Sequence, residues 1–119
     1  MKILREVKSE DCFDGTFIKD YILDGKVGDG FLKYLSNFGE LTVLDGIKKP
    51  FYSFDKTYFF TIKGIVGEES MKVIYRRNNM DVTFGFLELL LLNYLPHNGA
   101  GVAKVRGAEK AIMDKIRVR

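Results

Sequence analysis

The sequence predicts an α+β fold: an antiparallel sheet of about five strands, with one short helix inserted after the second strand and a helical C-terminus packed on one face. Three observations predict it. Residues 57–86 alternate apolar and polar side chains with the period of two that a half-buried strand requires. Residues 31–38 space Phe31, Leu32, Leu35 and Phe38 as one face of a helix. Residues 102–116 place Val102, Val105, Ala108, Ile112, Met113 and Ile116 on a single helical stripe.

Taken in order, residues 1–7 suit a first strand, and Asp14-Gly15 marks a turn. Residues 16–23 are β-branched and aromatic and read as a strand that Asp24-Gly25 ends. Asp29 or Gly30 is placed to cap the short helix at 31–38, and Gly39 to stop it. Residues 41–44 form a short strand before Asp45-Gly46, and Pro50 marks a turn or an edge. Residues 57–65 and 71–77 are two strands around the polar turn 67–70. Asn78-Asn79 then suits a two-residue hairpin, because Asn tolerates positive φ. Met80, Val82, Phe84 and Phe86 continue the alternation, making 57–86 a three-stranded meander. At 87–95 the period disappears into a leucine-rich run that fits either a buried helix or a strand. A loop at 96–101 leads to the amphipathic helix, which Gly107 weakens by about 1 kcal/mol relative to Ala.

The 119 residues suit one domain with one core, and no repeat or linker divides them. A single cysteine, Cys12, excludes an internal disulfide and fits a reducing compartment. With one histidine, His97, far from it in sequence, no Cys/His zinc site is formed, and neither metal nor cofactor is expected. The first ten residues carry Lys2, Arg5, Glu6 and Lys8 and lack the apolar core of a signal peptide. The longest apolar run, 82–92, is shorter than the roughly 20 residues of a spanning helix. A cytoplasmic protein with no membrane partner is the expectation.

Charge is unevenly distributed. Residues 1–96 carry a net −1 and residues 97–119 a net +4. The basic end begins with Asn98, Gly99, Ala100 and Gly101, followed by Lys104 and Arg106. Glycines ahead of a helix let backbone amides approach an anion, so Asn98, Gly99, Gly101, Lys104 and Arg106 form a candidate phosphate or nucleic-acid site. The strict phosphate motifs are not met, since Lys104 stands where G-x-G-x-x-G needs its last glycine. Leu95-Pro96, Gly99 and Ala103 resemble part of the helix-hairpin-helix loop, but His97 and Asn98 replace its glycine and aliphatic positions, and the family is not assigned.

No catalytic set is recognisable. His97 has no nucleophile near it in sequence. Cys12 sits among Glu10, Asp11 and Asp14, whose charge opposes a thiolate. The expectation is therefore a non-enzymatic binding or accessory module. The leucine-rich run suggests a homo-oligomer. The order of elements resembles that of the helix-grip lipid-binding proteins, without a motif, and adds a small apolar ligand between sheet and C-terminal helix as an alternative.

Overall fold

The computed structural model describes residues 1–45, 48–94 and 100–118. Its class is α+β with an antiparallel sheet. Six strands are present among the described residues rather than about five: β1 (Ile3–Asp11), β2 (Thr16–Leu23), β3 (Glu40–Leu44), β4 (Phe51–Lys56), β5 (Phe60–Ile65) and β6 (Ser70–Arg76). Helix α1 (Asp29–Leu35) follows β2. After β6, a 3-10 turn at Arg77–Asn79 leads into α2 (Met80–Leu92), and α3 (Ala100–Val118) follows. The strands lie in the order β1-β2-β6-β5-β4-β3. Thus β3 to β6 form a meander, and the β1–β2 hairpin closes against β6, with Phe17 opposite Tyr75 and Lys19 opposite Val73.

One face of this sheet makes the core. Tyr21 and Leu23 of β2, Tyr52 and Phe54 of β4, Phe60 and Ile62 of β5, and Met71, Val73 and Tyr75 of β6 point the same way and are buried. Burying side chains of this size stabilises the fold by about 1.5–3 kcal/mol each. All three helices contribute to that core: Phe31, Leu32, Tyr34 and Leu35 from α1, Phe86, Leu87, Leu90 and Leu91 from α2, and Val105 from α3. Helix α1 is tied to α2 by the Tyr34 hydroxyl, which donates to the Leu90 carbonyl at 2.6 Å. Tyr94 stacks edge-on against Phe31, with ring centroids 5.0 Å apart.

Two expectations are corrected. Residues 57–65 are not one strand. The chain turns at 57–59, where the Phe59 amide donates to the Lys56 carbonyl and Tyr58 takes a φ of 71°. The positive φ at the third turn position is that of a type II turn, an uncommon place for a tyrosine. The preceding strand, β4, was hidden because its third inward residue is Lys56. The expected meander is therefore present, but in different residues: β4, β5 and β6 span 51–76, not 57–86.

The second correction concerns 78–86. Asn78-Asn79 is no hairpin turn, and Met80 to Phe86 is helical. The buried positions of α2 are Thr83, Phe86, Leu87, Leu90 and Leu91, a helical stripe that begins on a polar residue. Thr83 is fully buried because its hydroxyl donates back to the Asn79 carbonyl at 2.9 Å. With Thr83 counted as polar, the alternation of Met80, Val82, Phe84 and Phe86 imitated a strand. The same stripe settles the leucine-rich run, which is helix to Leu92.

The buried phenols give this core a pH dependence. Burial pushes the Tyr21 hydroxyl up to about 12, even though its hydrogen bond with Tyr75 acts the other way. Burial also raises Tyr34, Tyr52 and Tyr75. Because the folded state holds these protons more tightly, their stabilising effect is complete below the ordinary phenol value near 10 and is lost above it. The unfolding free energy from urea titration is expected to fall steeply from about pH 10 to 12, by about 1.4 kcal/mol per pH unit for each phenol that is ionised in the unfolded chain and still protonated in the folded one. A free energy that stays level over that window contradicts this reading of the core.

Candidate functional site

The inward face of the β1–β2 hairpin is only half covered by helix, and a groove results. Register sets its sheet side: Ile3 of β1 lies opposite Leu23, and Glu6 opposite Tyr21. Lys19 and Tyr21 of β2 point the same way, two residues apart. The other wall is the first turn of α2, which presents Met80, Asp81 and Phe84. The groove has a volume of about 320 Å³ and is lined by Ile3, Glu6, Lys19, Tyr21, Met80, Asp81 and Phe84. That is within the range of small-ligand sites, which begins at about 300 Å³.

The apolar walls are Ile3, Met80 and the rings of Tyr21 and Phe84, whose centroids are 6.1 Å apart. The Tyr21 hydroxyl meets the Tyr75 hydroxyl at 2.8 Å. At the rim, Lys19 pairs with Glu6 at 2.8 Å and lies over the Phe17 ring at 5.6 Å. Chemically, the groove offers an apolar slot with one ion pair and one carboxylate at its mouth.

A second, more polar cleft of about 360 Å³ lies at the far end of the sheet, lined by residues that include Phe38, Asp55, Lys56, Tyr58, Glu109 and Met113. Its central group is the buried ammonium of Lys56. It donates to the Phe38 carbonyl at 2.6 Å and to Glu109 Oε1 at 2.7 Å. The rings of Phe59 and Phe86 lie 4.9 and 5.5 Å from it. These contacts use the ammonium to hold α3 against the sheet.

The residues singled out in the sequence fall elsewhere. Asn98, Gly99 and His97 lie outside the described residues. Gly101 is buried in the first turn of α3. A Cβ at this position would collide with the Asn93 carbonyl oxygen, so glycine here lets α3 pass close to the end of α2. Lys104 and Arg106 are both exposed, but two residues apart on a helix they point to nearly opposite sides. Cys12 is half-buried. Among the described residues, no group of three or more His, Cys, Asp or Glu is placed to hold a metal ion, and no helix is long and apolar enough to cross a membrane. The groove residues carried no sequence signal, since Ile3, Tyr21 and Phe84 meet only through strand register and helix packing.

The chain matches no protein-family model, no curated protein and no solved structure in the comparisons made with each.

The two glycines of α3 have opposite expected effects. Gly101→Ala forces the helix hairpin apart and is expected to cost about 1–3 kcal/mol, the range for overpacking. Gly107 has open space around it, so Gly107→Ala is expected to gain about 0.5–1 kcal/mol of helix stability. Denaturant titration of both variants checks this, and equal effects would remove the packing role assigned to Gly101.

Proposed function

We propose that the chain is a small binding module that holds a small, largely apolar ligand in the groove between the β1–β2 hairpin and α2. The observation that carries this reading is the groove itself: four apolar side chains and a ligand-sized volume, with Glu6, Lys19 and Asp81 as the charged lining. Such a division of labour suits an amphiphile, with burial supplying affinity and the rim setting orientation. The site lies against α2, whereas the order of elements had suggested the last helix. Among the described residues no arrangement of nucleophile, base and oriented partner accompanies the groove, so the reading is one of binding without chemistry.

The test uses the fluorescent probe ANS on the folded protein, with dodecanoate as competitor. Wild type is expected to show saturable, single-site ANS fluorescence that dodecanoate displaces. Met80→Trp fills the groove and is expected to weaken the probe by about tenfold or more, a loss of about 1.4 kcal/mol. Far-UV circular dichroism and a retained cooperative unfolding transition exclude a molten state, which binds ANS by itself. Absence of saturable binding by wild type, or unchanged binding by the folded Met80→Trp variant, refutes the proposal.

A further inference from the structure

The sheet has two edges, and they are built differently. The β1 edge carries Arg5, Glu6, Lys8, Glu10 and Asp11, and its pairing with β2 is interrupted by two register shifts. Charges and bulges of this kind keep an edge from joining another strand. The β3 edge, Glu40–Leu44, carries a single charge, at Glu40, and no bulge. It pairs with β4 in unbroken register, and beyond Glu40 its residues are Leu41, Thr42, Val43 and Leu44. Val43 and Leu44 are about half exposed, at 48% and 52%. Among the described residues, no backbone hydrogen bond reaches β3 from its open side.

On the exposed face of the sheet the row Leu44, Phe51 and Ile65 is apolar and about half exposed, but the row beside it disfavours face-to-face stacking. Register places Thr42, Ser53, Lys63, Lys72, Asp20 and Lys8 in one row across it. Lys63 and Lys72 are direct neighbours at its centre, and neither forms an ion pair among the described residues. Two copies stacked face to face about a two-fold axis bring these ammonium groups together, and like charges in contact are unfavourable. In the leucine-rich helix Leu87, Leu90 and Leu91 are spent on the chain's own core, which leaves Leu92 as its exposed leucine.

We infer that β3 is the contact strand of a homodimer, pairing antiparallel with the β3 of a second copy about a two-fold axis at Thr42. The pattern of the strand selects this register. Leu41 and Val43 lie on the core side, opposite Phe54 and Tyr52 of β4. An axis at Thr42 sets Leu41 of one copy opposite Val43 of the other on that same side, twice. On the outer side Thr42 meets Thr42, a favourable cross-strand pair, and Glu40 meets Leu44, so no carboxylate faces another. A register one residue away puts unlike sides together. The strand has five residues, so the contact is smaller than a standard interface and belongs with the weak, reversible ones.

Sedimentation velocity over a dilution series tests this with the full chain. Wild type is expected to pass from dimer to monomer across micromolar concentrations. Thr42→Lys and Thr42→Glu each place like charges at the axis and are expected to weaken the dimer by about tenfold or more. Thr42 is exposed, so both variants keep the wild-type circular dichroism. Mixed in equal amounts, the two are expected to recover dimer, because the opposite charges then meet. Monomeric wild type at the highest concentration, variants that dimerise like wild type, or a mixture that stays monomeric each overturn the inference.

Discussion

The ammonium group of Lys56 is the contact on which the arrangement of helices over the sheet depends. It stands at the last inward position of β4, 5% exposed, where an unpaired charge costs several kcal/mol. Five parts of the chain meet to offset that cost. The segment after α1 gives the Phe38 carbonyl, α3 gives the Glu109 carboxylate, the β4–β5 turn gives the Phe59 ring, and α2 gives the Phe86 ring, all around a residue of β4. A desolvated cation over an aromatic face contributes about 2 kcal/mol. Removing any one of these groups leaves the charge less well held.

Helix α3 shows why the contact matters. Of its described side chains beyond the first turn, only Val105 is fully buried, while Val102, Ile112, Met113 and Ile116 are half-covered. An amphipathic stripe of that kind fixes which side of a helix faces the core, but only loosely fixes its position along the sheet. Two specific contacts supply the position. At one end Gly101 permits close approach to Asn93, and a little over two turns later Glu109 meets Lys56. The β1–β2 hairpin, at the other end of the sheet, is tied instead by Arg77, which pairs with Asp11 and donates to the Cys12 carbonyl at the hairpin turn. There the first turn of α2 stands off from the hairpin, and the groove opens.

Much of this was legible locally and little of it at long range. The stripe from Val102 to Ile116 was readable because every member is apolar and the helix obeys it. Strand β6 was readable because Met71, Val73 and Tyr75 alternate with Lys72 and Arg76, Ile74 being the one apolar exception. Strand β4 and helix α2 were misread for one reason, a polar residue at a core position. Lys56 ends the inward pattern of β4, and Thr83 begins that of α2. Each is buried only because a distant or i−4 partner satisfies it, and such partners are invisible to periodicity. The groove has the same character: Ile3, Tyr21 and Phe84 are unremarkable in sequence and become a site through register. The self-complementary pattern of β3, by contrast, is local and could be read once its edge position was known.

The most direct test of the central role of Lys56 is a double-mutant cycle in urea unfolding, with Lys56→Met, Glu109→Gln and the pair combined. Charge pairing at a buried site predicts that Glu109→Gln alone is costly, because it strands the ammonium, and that adding Lys56→Met recovers part of the loss. The coupling energy is expected to be about 2 kcal/mol or more, with the two single losses far from additive. Additivity within about 0.5 kcal/mol would contradict the account and leave α3 held by its apolar stripe alone.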